Sequence, residues 1–260
     1  MSLNLHSSLP ETKEMLISEI ASRNLLLAEL LKVPSIAGYL LPEFKLVQLT
    51  VNQVLYEHGD VIDHICFPLD SVVSGLAIMD DGTTIETSMI GRDSLVGIST
   101  ILGSGVSKQW SWVTIGGSAI QLEKKFLEKM FVQNETALKC LTGSYRSLIT
   151  QLAQRCVCNT RHTILERLCC WLLMIHDRVG GEKLSLTQEM IASRVGARRA
   201  GITVAAGLLQ SMRGIEYRRG QLHIRNRQVL EQTVCECYAL IKGDLELPTP
   251  QQLLSLFAIN

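Results

Sequence analysis

The sequence predicts an α+β chain. A β-rich unit of short strands lies between helical segments, and a basic helix-turn-helix with a wing follows on its C-terminal side. Three observations carry this. The hydrophobic pattern changes from helical to short β-rich segments near Phe44, and back to helical near Glu123. The stretch ASRVGARRAGITVAAGLLQ, Ala192 to Gln210, sets two arginines between a glycine and a run of small aliphatic residues. Charge is also segregated within a chain of zero net charge. Residues 1–130 hold 9 Lys and Arg against 15 Asp and Glu, whereas residues 184–228 hold 8 Arg and only Glu189 and Glu216. A basic module attached to an acidic one points to a polyanionic partner for the former.

Taken in order, Glu11 to Leu31 reads as one helix, with apolar residues three and four apart. From Phe44 to Leu122, segments such as KLVQLTV, HICF, SVVSGLAIM, TIETSMI and SWVTI alternate with the turn signals HGD, DDGT, IGRD and IGG. Asp81-Gly82 between two alternating runs is a hairpin signal. Many short strands joined by turns make a sandwich, a jelly roll or a barrel, interrupted by one helical stretch from Asp93 to Gly103. The segment NETALKCLTGSYRSLITQLAQRC then sets Leu138, Leu141, Tyr145, Leu148 and Leu152 at alternating intervals of three and four. That seam suits a partner helix. The following RHTILERLCCWLLMIHDRV is apolar nearly all round at its centre, as in a buried helix.

Composition narrows the class further. With 47% hydrophobic and 19% charged residues among 260, the chain is globular rather than disordered. No apolar run reaches membrane-spanning length, and MSLNLHSSLP lacks a basic leader; a cytoplasmic location is expected. The eight cysteines form no C-x-x-C pair, so they read as reduced thiols packed as small hydrophobes. Cys158 and His162, four apart, share a helix face, but no metal and no cofactor are expected. No nucleophile–base constellation or phosphate loop points to an enzyme.

The basic module has the most specific grammar. Thr187 caps a helix QEMIASRV, Gly196 ends it in the left-handed conformation, and a second helix runs from about Arg198 to Met212. Ala192, Gly196 and Ile202 supply the small crossing residue, the turn and the apolar plug of a helix-turn-helix. Ile202, Ala205, Leu209 and Met212 should face inward, leaving Arg199, Ala200, Thr203, Val204 and Gly207 outside. Arg198 and Arg199 then stand at the positive end of the helix, placed to reach base edges or phosphates. Small residues behind them would let the backbone sit deep in a major groove. IEYRRGQLHIR reads as two strands around Arg219-Gly220, a wing carrying Arg218 and Arg219.

The order of sandwich, long helix and winged helix-turn-helix resembles the catabolite activator / fumarate-nitrate regulator superfamily of bacterial transcription factors. ERLCCWLLMIHDRVGGEKLSLTQEMIASRVGARRAGITVAAGLLQ and IEYRRGQLHI carry the likeness most strongly. The resemblance implies a cyclic-nucleotide-binding-like jelly roll over residues 1–131, a dimerisation helix over 132–158, a winged helix-turn-helix over 159–245 and a tail over 246–260. It implies a homodimer on a palindromic operator in double-stranded DNA, with RNA polymerase as a further partner and a small-molecule effector in the jelly roll. The expected DNA-contacting set is Thr187, Gln188, Arg198, Arg199, Ala200, Thr203, Val204, Arg218 and Arg219.

Departures from the family pattern matter as much. The family's Gly-Glu-Leu, whose carboxylate holds the ribose hydroxyl, is here Gly97-Ile98-Ser99. Its phosphate-binding Arg-Ser/Thr falls on Lys108, Gln109 and Trp110, with Gln109-Trp110 the match and no arginine. Lys108 offers a point charge but no planar fork. The pocket is therefore expected not to take cyclic AMP. Residues 1–65 contain no cysteine, which excludes the N-terminal iron–sulfur type. The recognition pattern Arg-Glu-x-x-x-Arg becomes Arg199-Ala200-x-x-x-Val204, so only the first arginine carries over and a different target sequence follows. The alternative is a DNA-binding dimer whose jelly roll is scaffold only.

Overall fold

The computed structural model describes residues 11–245 except Leu102 and Ser104; the predicted tail over 246–260 and the leader reading of residues 1–10 lie outside them. The chain divides into two compact units, one reaching Leu141 and joined by Arg178–Gly180, the other Thr142–Asp177 together with the chain from Gly181. The division falls inside the long helix, where the sequence suggested boundaries near its ends.

The first unit opens with α1 (Glu11–Ala21), α2 (Leu25–Leu31) and α3 (Pro34–Leu40), the last followed by a 3-10 turn at Leu41–Glu43. The single helix expected over Glu11 to Leu31 is broken at Asn24. That side chain accepts from the Leu27 amide as the N-cap of α2. Its amide nitrogen donates to the carbonyls of Pro68 and Ser94, each at 2.9 Å. A fully buried Asn that stops one helix, starts another and ties both to the sandwich leaves no signature in a hydrophobic period.

The strands are β1 (Lys45–Leu49), β2 (Val54–Tyr56), β3 (His64–Pro68), β4 (Val72–Ile78), β5 (Thr84–Ile90), β6 (Trp110–Ile115) and β7 (Gly117–Glu123), with the short α4 (Ile98–Ile101) between β5 and β6. They form two antiparallel sheets, ordered β1-β7-β3 and β2-β6-β4-β5. Leu49, Cys66 and Ala119 from the first sheet meet Val73, Ile90 and Val113 from the second in one core, as facing sheets require. The helical stretch expected over Asp93 to Gly103 shrinks to the four residues of α4. Asp93 instead accepts from the Gly91 amide and from Arg178, with Nη2 to Oδ2 at 2.6 Å. The Arg178 and Asp93 side chains are only 1% and 6% exposed.

Next come α5 (Lys124–Gln133) and the 27-residue α6 (Glu135–Arg161). α7 (Ile164–Val179) starts with a reciprocal cap, Thr163 and Glu166 each bonding the other's backbone amide. Its centre, Leu168 through Ile175, is buried on every side, as its sequence required. The second unit is completed by β8 (Lys183–Ser185), α8 (Gln188–Val195), α9 (Arg199–Ser211), β9 (Ile215–Arg218), β10 (Gln221–Ile224), α10 (Arg227–Thr233) and α11 (Cys237–Leu245). The wing is a three-stranded sheet ordered β8-β10-β9; the sequence showed only two of its strands. Among the described residues no single helix is long and apolar enough to cross a membrane.

Candidate nucleic-acid interface

The helix-turn-helix forms as its sequence dictates. The Thr187 hydroxyl accepts from the Met190 amide at 3.1 Å, satisfying one of the orphan donors that begin α8. Gly196 ends that helix at φ 67°, a conformation a side chain resists. Ile202, Ala205 and Leu209 are buried on the inner face of α9, as expected. Met212 is not. It lies past the last helical residue and is 45% exposed, and Ala206 takes the buried place instead.

The C-terminal end of α8 is held by two arginines from elsewhere in the chain. Arg155 Nη2 donates to the Arg194 carbonyl at 2.6 Å, and Arg167 Nη2 donates to the Gly196 carbonyl at 2.8 Å and to that of Val195. Cations belong at a helix C-terminus, where carbonyls lack partners. Both come from helices outside the motif, α6 and α7, so only the fold brings them there.

Small residues on α9 have two separate uses. A Cβ on Gly201 would lie 2.6 Å from Ile164 Cδ1, so this glycine permits close packing inside the unit. A Cβ on Gly207 would meet open space. The outer face is Arg199, Ala200, Thr203, Val204, Gly207 and Leu208, all exposed, with Val204 at 65%. Thr203 is less free than its exposure suggests. Its hydroxyl bonds the Gln188 side chain at 3.0 Å and the Arg199 carbonyl at 3.1 Å. Gln188 therefore braces α9, a role its position at the start of α8 did not disclose.

The wing is tied to this helix. The Tyr217 amide donates to the Gln210 side chain and the Tyr217 hydroxyl to the Leu186 carbonyl, both at 2.8 Å. Burial of Tyr217 raises its pKa above the usual phenol value. Between β9 and β10, Arg219 at φ 50° and Gly220 at φ 77° make a tight hairpin turn, and the Leu186 amide closes onto the Gly220 carbonyl at 2.9 Å.

These contacts sort the arginines. Arg225 Nε pairs with Glu216 at 2.9 Å, and that bond holds the Glu216 carboxyl below its ordinary pKa. Arg227 pairs with Asp177 at 2.8 Å and Glu231 at 2.7 Å. Arg194 is buried. Arg198, Arg199, Arg218 and Arg219 are exposed, and among the described residues no carboxylate pairs with them. Four guanidinium groups without a paired carboxylate thus stand on one helix start and one wing turn.

The expected effector residues differ in their surroundings. Ile98 is 2% exposed and belongs to the core, Gly97 has φ 97°, and Ser99 and Lys108 are exposed. Gln109 accepts from the Thr87 hydroxyl at 3.0 Å and donates to Ser88 at 3.4 Å, filling the space above Gly75. Trp110 stacks edge-on with Trp112 at 6.5 Å. Nearby, Ser74 bonds Thr114 at 2.6 Å and donates to the buried carboxylate of Glu86, a polar cluster that β-strand patterning did not reveal.

Along the long helix the expected seam is uneven. Leu141 is fully buried within its own chain and so is withdrawn from any partner-facing set. Tyr145 and Leu148 are half-buried, while Leu138 and Leu152, with Ile149 and Val157, are exposed. The thiols also depart from expectation: Cys158, Cys235 and Cys237 converge with His162, their ligand atoms all within 4.8 Å of one another.

Residues 166–233 match the family model of the Crp-like helix-turn-helix domain. Among solved structures, FixK2 from Bradyrhizobium japonicum is similar at TM-score 0.62 and 17% identity, covering 74% of this chain and 98% of its own. A CRP-family transcriptional regulator from Thermus thermophilus follows at 0.59 and 13%, covering 72% and 95%. A second regulator of that organism, of the CRP/FNR family, gives 0.59 and 15%, covering 73% and 97%. No curated protein matches the chain in sequence.

Proposed function

We propose that this chain, whose residues 166–233 match the Crp-like helix-turn-helix domain and whose fold is similar to that of Crp/Fnr regulators, is a transcription regulator that acts as a homodimer and reads a palindromic operator in the cytoplasm. The observation that carries the reading is the exposed set Arg198, Arg199, Arg218 and Arg219, without paired carboxylates, on a helix and a wing joined by the hydrogen bond from the Tyr217 amide to Gln210. A recognition helix with free donors at its N-terminus suits the major groove, and a wing cation suits a flanking phosphate. RNA polymerase is the natural further partner of such a regulator. Selection from a random duplex library with the full chain tests this. Enrichment of a motif with two inverted half-sites is expected, and recovery of no motif would overturn the proposal.

The dimer rests on the exposed apolar residues of α6. Leu152→Lys places a charge on a residue 36% exposed in the single chain, so it should disrupt association while sparing the fold. Light scattering is expected to shift to the monomer mass with unchanged helical circular dichroism. Operator affinity should fall on the order of 10²–10⁴-fold as the second recognition helix is lost. A variant that remains dimeric would mean that this face of α6 is not the interface.

The jelly roll is read as taking something other than cyclic AMP. Ile98 offers no acceptor for a ribose hydroxyl and is buried, and the Gln109 amide is spent on Thr87 and Ser88. Millimolar cyclic AMP or cyclic GMP is expected to leave both thermal stability and DNA affinity unchanged. A ligand at 100 times its dissociation constant would stabilise the fold by about 2.7 kcal/mol. A rise of several degrees in melting temperature would therefore refute this part.

A further inference from the structure

Three cysteines and one histidine from two distant parts of the sequence meet in the second unit. Cys158 lies in the last turn of α6, and His162 follows that helix, its amide bonded to the Cys158 carbonyl at 3.2 Å. Cys235 lies just before α11 and Cys237 opens it, 77 and 75 residues from their partners. We propose that Cys158, His162, Cys235 and Cys237 form a tetrahedral zinc site that fastens the end of the long helix to the start of the last one.

The distances suit that ion. Zinc bonds of about 2.3 Å to sulfur and 2.0–2.1 Å to nitrogen make tetrahedral edges of roughly 3.8 Å between sulfurs and roughly 3.6 Å between sulfur and nitrogen. Cys158 Sγ lies 3.6 Å from Cys235 Sγ, and Cys237 Sγ lies 3.6 Å from His162 Nδ1. The imidazole is turned for ligation. Nδ1 faces the thiols while Nε2 lies 3.4 Å from the Glu236 carboxylate, the outer partner that fixes the tautomer of metal-binding histidines. A disulfide would need the sulfurs at about 2.05 Å, and all eight cysteines are free.

The surroundings suit the charge. Binding zinc releases a proton from each of three thiols, leaving a centre of net charge −1 with a neutral imidazole. Arg155 and Arg167 line the same small cavity as Cys158. The three cysteines are buried, His162 is partly buried and Glu236 is exposed, so the thiols are shielded while the imidazole and its support face the rim. All four positions are protein ligands, which makes the site structural rather than catalytic.

The test uses the full chain, reduced, loaded with zinc and dialysed against a weak chelator. About one zinc per chain is expected by elemental analysis. Cobalt(II) in its place should give the intense visible bands of a tetrahedral ion and near-ultraviolet thiolate charge transfer. Cys158→Ser and Cys237→Ser should abolish both signals, whereas Cys156→Ser, altering an exposed cysteine outside the cluster, should keep them. Glu236→Gln should weaken zinc binding about 10–100-fold. A strong chelator should lower the melting temperature of the wild type. No retained zinc, a pale octahedral cobalt spectrum, or undiminished zinc in both ligand variants would overturn the site. The wild-type cobalt spectrum decides the matter even if a cysteine variant fails to fold.

Discussion

Arg199→Ala is expected to cost roughly 2–6 kcal/mol of binding free energy on the preferred operator, because a bidentate arginine–guanine contact is worth about 1–3 kcal/mol and a symmetric dimer makes it twice. The loss should be selective, erasing preference at one base pair in each half-site and barely changing affinity for random duplex. Arg219→Ala should behave in the opposite way. It sits on the wing turn at φ 50°, which the proposed reading sets on a flanking phosphate, so it should weaken all sequences alike and reduce the salt slope by about one for each phosphate it no longer neutralises. Titrations of wild type and both variants on operator and random duplex, at several salt concentrations, separate the two roles. Equal losses on operator and random DNA for Arg199→Ala would show that it only holds phosphate, and base readout would then have to come from another part of α9.

Asp93→Ala is expected to destabilise the first unit by roughly 3–5 kcal/mol, since it leaves the Arg178 guanidinium buried without its main counter-charge. The pair is nearly sealed from water. It is also packed against backbone, for a Cβ on Gly91 would lie 2.7 Å from the Arg178 side chain. The melting transition of this unit should drop on the order of 10 °C. Asp93→Ala combined with Arg178→Met should recover much of the loss, because a buried pair replaced by apolar groups of similar volume is often close to neutral. Urea titration of the wild type and both variants measures this. A single-variant loss under about 1 kcal/mol would mean that water reaches Arg178 in solution and the pair behaves like an exposed one.

Much of the molecule was legible from residues near one another in the sequence. Strand-and-turn alternation from Phe44 to Leu122, the buried centre of α7, and the spacing of Ala192, Gly196 and Ile202 are local patterns set by the periods of strand and helix. The structure reproduces each. The exposed arginines at the start of α9 follow from the same logic, since fixing the inner face of a helix fixes its outer face. What the sequence could not disclose lies where chain segments far apart meet. Asn24 breaks a helix because its amide finds the carbonyls of Pro68 and Ser94. Leu141, periodic with its neighbours, is buried inside its own chain. Arg155, Arg167 and Arg227 count as positive charge in a sequence, yet they spend it on helix carbonyls and carboxylates within the fold. Cys158 and Cys235 look like two ordinary small hydrophobes until the fold closes 77 residues of chain between them. Periodicity reports which face of an element is apolar, because that depends on bond geometry within a few residues. Which polar group meets which depends on how whole elements pack, and that was decided only by the tertiary structure.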